Sequence, residues 1–134
     1  MSGISDLNTL LASMSPELMD GEFVFITVSG TLADYAQYNP IAMFQEKEGL
    51  TLVLPVNDAK LGGFEFDGIY KQITLMVHSS LEAVGLTAAI ATKLTANGIS
   101  ANVIAAYYHD HVFIQKDKAD LALKALKALK EFTN

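Results

Sequence analysis

Two short runs hold most of the residues able to do chemistry in this 134-residue chain. The first is His78-Ser79-Ser80-Leu81-Glu82-Ala83-Val84-Gly85-Leu86-Thr87, at the entrance to an apolar, helix-spaced stretch running from Val84 to Asn97. A helix N-terminus presents N–H groups without intrahelical partners and a partial positive charge, which together suit a carboxylate. Gly85 lets a ligand come close to the backbone, and Ser79, Ser80 and Thr87 add hydroxyl donors. The same run also supports a purely structural reading. Ser79 and Glu82 fit an S-x-x-E capping box, with Gly85 as a turn residue. Spacing alone favours that second reading.

The other run is Tyr107-Tyr108-His109-Asp110-His111. Two histidines two residues apart on an extended strand point the same way, and a metal site would then recruit His78 or Asp117 to reach three ligands. The simpler expectations are a solvated hairpin tip or, next, one histidine with Tyr107 or Tyr108 lining a ligand pocket. No metal is expected. Nucleophilic catalysis by Ser79 or Ser80 with His78 lacks a third group and the G-x-S-x-G elbow, and no phosphate-binding glycine motif occurs. Asp34, Tyr35 and Tyr38 form a tyrosine-rich loop, read as anchored by its rings rather than as a lid.

Bulk chemistry narrows the choices. Hydrophobic residues are 51% and charged residues 18%, enough apolar content for a sizeable core. There is no cysteine, which removes disulfides and thiolate chemistry. The net charge is −6, and all nine basic residues are lysine. A basic face for phosphates is therefore missing, and nucleic acid is not an expected partner. Without arginine no bidentate guanidinium clamp exists, so an anionic ligand group must be met by backbone N–H, hydroxyl, lysine or histidine. No apolar run reaches membrane-helix length, and the N-terminus lacks the basic region of a signal peptide, so a cytoplasmic protein without a membrane partner is expected.

The elements that must position these residues follow from periodicity. A short helix is expected from Asp6 to Met14, then a break at Pro16 and Gly21. Strands are expected at 22–29, 41–47 and 50–55, with a loop at 30–40 and a turn of helix at 57–61. The strand IYKQITLMVH puts Ile69, Ile73, Leu75 and Val77 on one face, and Tyr70, Gln72, Thr74, Met76 and His78 on the other. The 84–97 helix has Leu86, Ile90 and Leu94 in a row and ends at Gly98. Its opposite side, Ala88, Ala89, Thr92 and Ala96, carries little charge and is a candidate interface. Strands ANVIAAYY and HVFIQ form a hairpin. A last helix from Asp117 carries an apolar arc including Leu121, Leu126 and Leu129, and its KALKALK repeat reads as a sheet-covering helix with a lysine face.

Residues 73–115, ITLMVHSSLEAVGLTAAIATKLTANGISANVIAAYYHDHVFIQ, resemble the ACT domain, a regulatory module that commonly binds amino acids. More closely, the chain is similar to small stand-alone proteins built from two ACT-like units, and the cytosolic arginine sensors use related tandem units. The resemblance implies an α+β, ferredoxin-like fold of two intertwined βαββα(β) units, with antiparallel sheets covered by helices. The units would be a degenerate one at 1–68 with a leading helix, and a second at 69–134. The second lacks a closing strand, so residues 22–29 are expected to join the sheet of residues 69–78. The resemblance also reverses the balance at the first run, because ACT effector sites form at that loop, generally between units. It implies a ligand site of His78, Ser79, Ser80, Val84, Gly85, Leu86 and Thr87, to which the pocket-lining reading of the second run adds Tyr107 and His109, in a non-enzymatic, cofactor-free amino-acid sensor that is a homo-oligomer. The alternative is an interaction module with a decayed ligand site.

Overall fold

The computed structural model describes residues 7–76 and 85–129. Two compact units divide the chain: Gly21–Tyr70, and Met1–Asp20 together with Lys71–Asn134.

In the unit spanning residues 21–70, strand β2 (Phe23–Val28) pairs antiparallel with β4 (Leu50–Pro55), and β3 (Ala42–Gln45) pairs with the other edge of β4. Strand alternation buries Val24 and Ile26 with Leu50, Leu52 and Leu54 on one face. Tyr35 and Tyr38 of a 3₁₀ helix (Leu32–Tyr38), Ala59 of helix α2 (Val56–Leu61), and Phe64 and Phe66 pack on that face. The opposite face of β2 is only partly apolar: Phe23 is buried, Phe25 half-buried and Thr27 exposed. The loop expected at 30–40 is this 3₁₀ helix, started by a capping box between Thr31 and Asp34 that reads poorly from sequence because T-x-x-D is so common.

In the other unit, β1 (Pro16–Leu18) pairs antiparallel with β5 (Tyr70–Leu75), placing Pro16 opposite Leu75, Glu17 opposite Thr74 and Leu18 opposite Ile73. Strand β7 (Asp110–Gln115) lies on the far side of β5, and β6 (Asn102–Ala105) pairs antiparallel with β7. The missing closing strand is thus supplied by residues 16–18. Residues 22–29 contribute a single pair, Phe23 opposite Tyr70 at the first residue of β5. Pro16 reads as a breaker, but a proline is tolerated as the first residue of an edge strand, where no ladder bond needs its N–H. Three residues are also too few for alternation to be visible.

Helix α3 (Leu86–Ala96) buries Leu86, Ile90 and Leu94, its i, i+4 row, against Ile73, Leu75, Val112 and Ile114 of the sheet. Each fully buried aliphatic of this kind contributes about 1.5–3 kcal/mol. The helix stops in a Schellman turn. Gly98 has φ 70°, its N–H reaches Thr95 O at 2.9 Å, and Ile99 N–H reaches Leu94 O at 2.9 Å. Helix α4 (Ala119–Leu129) buries Ala122, Ala125, Leu126 and Leu129, while Leu121, placed in the apolar arc from sequence, is 46% exposed. A short helix α1 (Leu7–Ser13) adds Leu11, and Met14 follows it into the same core.

Candidate functional site

Helix α3 begins with an unusual cap. Gly85 is its N-cap residue, with φ 97°, a left-handed conformation that costs side-chain-bearing residues strain. Glycine has no side chain to satisfy the first-turn N–H groups, and the first turn holds no acidic residue. The N-terminus of α3 is therefore a set of donors with no carboxylate of its own helix nearby. Leu86 is 3% exposed and belongs to the core, so it can offer a ligand only its N–H. Thr87 and Ala88 are exposed on the first turn. Of the residues predicted for the site, His78, Ser79, Ser80 and Val84 lie outside the described residues.

The topologically equivalent strand-to-helix connection in the unit at 21–70 is built differently. There Gly30, with φ 106°, precedes Thr31 and the 3₁₀ helix. The Asp34 carboxylate accepts the Thr31 N–H at 3.0 Å and its hydroxyl at 3.3 Å, and a Cβ on Gly30 would lie 2.7 Å from Asp34 Oδ2. Tyr35 donates its hydroxyl to Ser29 O, and Phe64 packs with Tyr35 and Tyr38 at centroid distances of 6.0 and 5.0 Å. The tyrosines anchor the loop. One unit has filled the start of its first helix with its own carboxylate; among the described residues of the other, the first turn of α3 carries none.

At the β6–β7 hairpin tip, Ala106 N–H bonds to His109 O at 3.1 Å. Tyr107 and Tyr108 are 64% and 63% exposed and meet edge to face at 5.1 Å, with the His109 ring 6.4 Å from Tyr108. Asp110 is buried, at 7% exposure. Burial raises its pKa above the ordinary carboxylate value, and His111 and His109 oppose that rise. Burial lowers the pKa of His111, His109 adds to the effect, and Asp110 opposes it. The His111 ring leans away from the tip, with Nδ1 2.9 Å from Thr74 Oγ1 and 3.1 Å from Gln72 Nε2. This cluster is absent from the sequence prediction. Its one signal was the polar alternation Gln72, Thr74 along β5. Among the described residues no group of three His, Asp or Glu side chains could hold a metal ion.

Two cavities of about 450 and 420 Å³ lie in the unit at 21–70, and neither includes a predicted site residue. The second is flanked by Glu65 and Asp67, which would repel a carboxylate. The predicted chemistry and these two cavities do not coincide, and donor geometry is the better guide to an anion site.

Comparison with known proteins gives these features a family. ACT-domain profiles match residues 2–71 and residues 69–128. The chain belongs to the ACT-domain family. It carries two such domains in tandem, with the ferredoxin-like α+β architecture expected. A solved Vibrio cholerae protein, described as of unknown function and a possible transport protein, is 60% identical, with a TM-score of 0.86 over 96% of this chain and 99% of that one. An Agrobacterium tumefaciens protein is 13% identical, with a TM-score of 0.73 over 87% and 89% of the two chains. The ligand-free regulatory subunit of aspartate kinase from Thermus thermophilus is 10% identical, with a TM-score of 0.59 over 87% and 95%. The last two share the fold. No curated protein matches the chain. ACT domains are regulatory rather than catalytic modules, so membership assigns a regulatory, ligand-binding role in general. Among the described residues no helix is long and apolar enough to cross a membrane.

Proposed function

We propose that this tandem ACT protein is a non-enzymatic cytoplasmic sensor of an amino acid, whose carboxylate is held at the start of α3. The observation that carries this reading is the contrast between the two units. Asp34 occupies the start of the first helix in one, whereas Gly85 leaves the N–H groups of Leu86, Thr87 and Ala88 without an acidic side chain in the first turn of the other. In a chain without arginine, such backbone donors are the natural receptor for an anionic group. The loop His78, Ser79, Ser80 and Val84 to Thr87 would surround the ligand, with Tyr107 and His109 of the hairpin tip as further contacts.

The protein is proposed to act as a homo-oligomer. Its weakly charged α3 face is less suitable than sequence suggests, because Ala89 packs against the core, leaving Ala88, Thr92 and Ala96 exposed. The edge strand β3 and the residue before it offer more apolar surface: Phe44 is 70% exposed, Met43 41% and the preceding Ile41 46%.

A thermal-shift screen against the twenty amino acids tests the reading. Ligand at a hundred times its dissociation constant raises stability by about 2.7 kcal/mol. Calorimetry then compares wild type with Gly85→Val, folding being checked separately because Val at φ 97° is strained. Equal affinity would place the site elsewhere. If no amino acid shifts the melting temperature, the interaction-module reading with a decayed site takes precedence.

A further inference from the structure

Asp110 is a buried acid without a donor. It is 7% exposed, and among the described residues its carboxylate accepts no hydrogen bond. An acid withdrawn from water this far costs free energy until a cation or a donor meets it. Its raised pKa expresses that cost. The group is nevertheless within reach. No fully buried side-chain oxygen or nitrogen lacks a partner among the described residues, so the Asp110 oxygens keep some contact with solvent. Ala105, opposite Asp110 in register, is exposed and carries only a methyl group, which leaves an approach from the β6 side.

Strand geometry fixes where this carboxylate points. Asp110, Val112 and Ile114 alternate along β7 and share one face, on which Val112 and Ile114 pack with Leu86 and Ile90 of α3. Asp110 therefore faces the helix layer, at the end of the sheet where β7 begins. His111 points to the opposite face, where it meets Thr74 and Gln72. α3 belongs to the same compact unit and starts at the Asp110 end. Its terminating Gly98 O accepts a bond from Lys118 Nζ at 3.1 Å, and Lys118 lies just beyond the last residue of β7. The helix thus finishes beside the far end of β7. Its 11 residues, about 16 Å long, carry the first turn back toward Asp110. We propose that Asp110 receives the ammonium group of the ligand whose carboxylate meets the first turn of α3, so that the site selects α-amino acids over 2-hydroxy and 2-keto acids. An α-amino acid bears both charges on one carbon, and a ligand with a carboxylate alone would be repelled by Asp110. The place of the ligand carboxylate rests on the sensor reading above.

The test is calorimetry on wild type and Asp110→Asn with three probe series. These are the twenty amino acids, the matching 2-hydroxy acids, and the amino-acid amides, which keep the ammonium but lose the carboxylate. Wild type should bind its amino acid about 30-fold or more tighter than the hydroxy acid, and Asp110→Asn should lose that advantage. Asp110→Asn should melt no lower than wild type, which separates the loss from unfolding. A hydroxy acid bound as tightly as the amino acid, or an amino-acid affinity unchanged in Asp110→Asn, would overturn the proposal and leave the α3 carboxylate site standing. Amides that bind through Asp110, beside an amino-acid affinity untouched by Ala88→Asp, would reject the α3 site and keep the ammonium role. Silence from all three series would overturn both. A ligand-free reading checks the shared location. Carbon-13 NMR should find the Asp110 midpoint above the ordinary 3.8, and Ala88→Asp should raise it further, because a like charge then stands nearby. An unmoved midpoint would overturn the shared site.

Discussion

Copying Asp34 into the other unit gives the sharpest prediction. Asp34 is the third residue of its 3₁₀ helix after the cap Thr31, and the equivalent place in α3, after the cap Gly85, is the exposed Ala88. Ala88→Asp should install a resident carboxylate where the ligand's is proposed to bind. Two carboxylates about 5 Å apart repel by about 1.7 kcal/mol at an effective dielectric of about 40. Diverting one N–H donor costs the ligand about 0.5–1.5 kcal/mol more. The sum, about 2.2–3.2 kcal/mol, weakens binding about 40- to 200-fold. The free protein should move the other way, because an acid in the first turn stabilises a helix by about 0.3–1 kcal/mol. For a chain of this size that raises the melting temperature by about 1–4 °C. The assay is a melting curve of the free variant followed by calorimetry with the amino acid found by screening. A variant at least as stable as wild type that still binds with unchanged affinity would refute the placement of the carboxylate. Gly85→Val cannot make that separation, since backbone strain accompanies it.

Three further outcomes are expected. Asp34→Ala should lose about 0.5–2 kcal/mol of stability, seen as a lower denaturation midpoint, because the Thr31 N–H and hydroxyl lose their acceptor. Asp110→Asn should raise stability at neutral pH. A carboxyl whose folded pKa is raised stabilises fully only below its ordinary value of 3.8 and loses that contribution as pH rises through the folded value, so the gain should shrink in melts taken below pH 3.8. If β3 forms the subunit contact, Phe44→Glu should convert the oligomer to monomer by light scattering while Thr92→Glu leaves it assembled, and the reverse pattern would assign the contact to α3.

By itself the sequence determined the elements whose packing follows local periodicity. The row Leu86, Ile90, Leu94 with Gly98 beyond it specifies α3 and its stop, because spacing of 3.6 and a left-handed glycine are local chemistry. The strands around 23–28, 50–55, 70–75 and 110–115 are legible for the same reason, as is the resemblance to the ACT domain. Total lack of arginine already confined anion recognition to backbone and hydroxyl groups. Tertiary structure alone decided three things. Residues 16–18 close the sheet beside β5, a pairing about 55 residues away in sequence that three residues cannot announce. Asp110 is buried although His-Asp-His reads as a solvated turn, because burial depends on what the rest of the chain lays over it. Finally, His111 meets Gln72 and Thr74 only once β5 and β7 are neighbours, a long-range contact that no local window of residues contains.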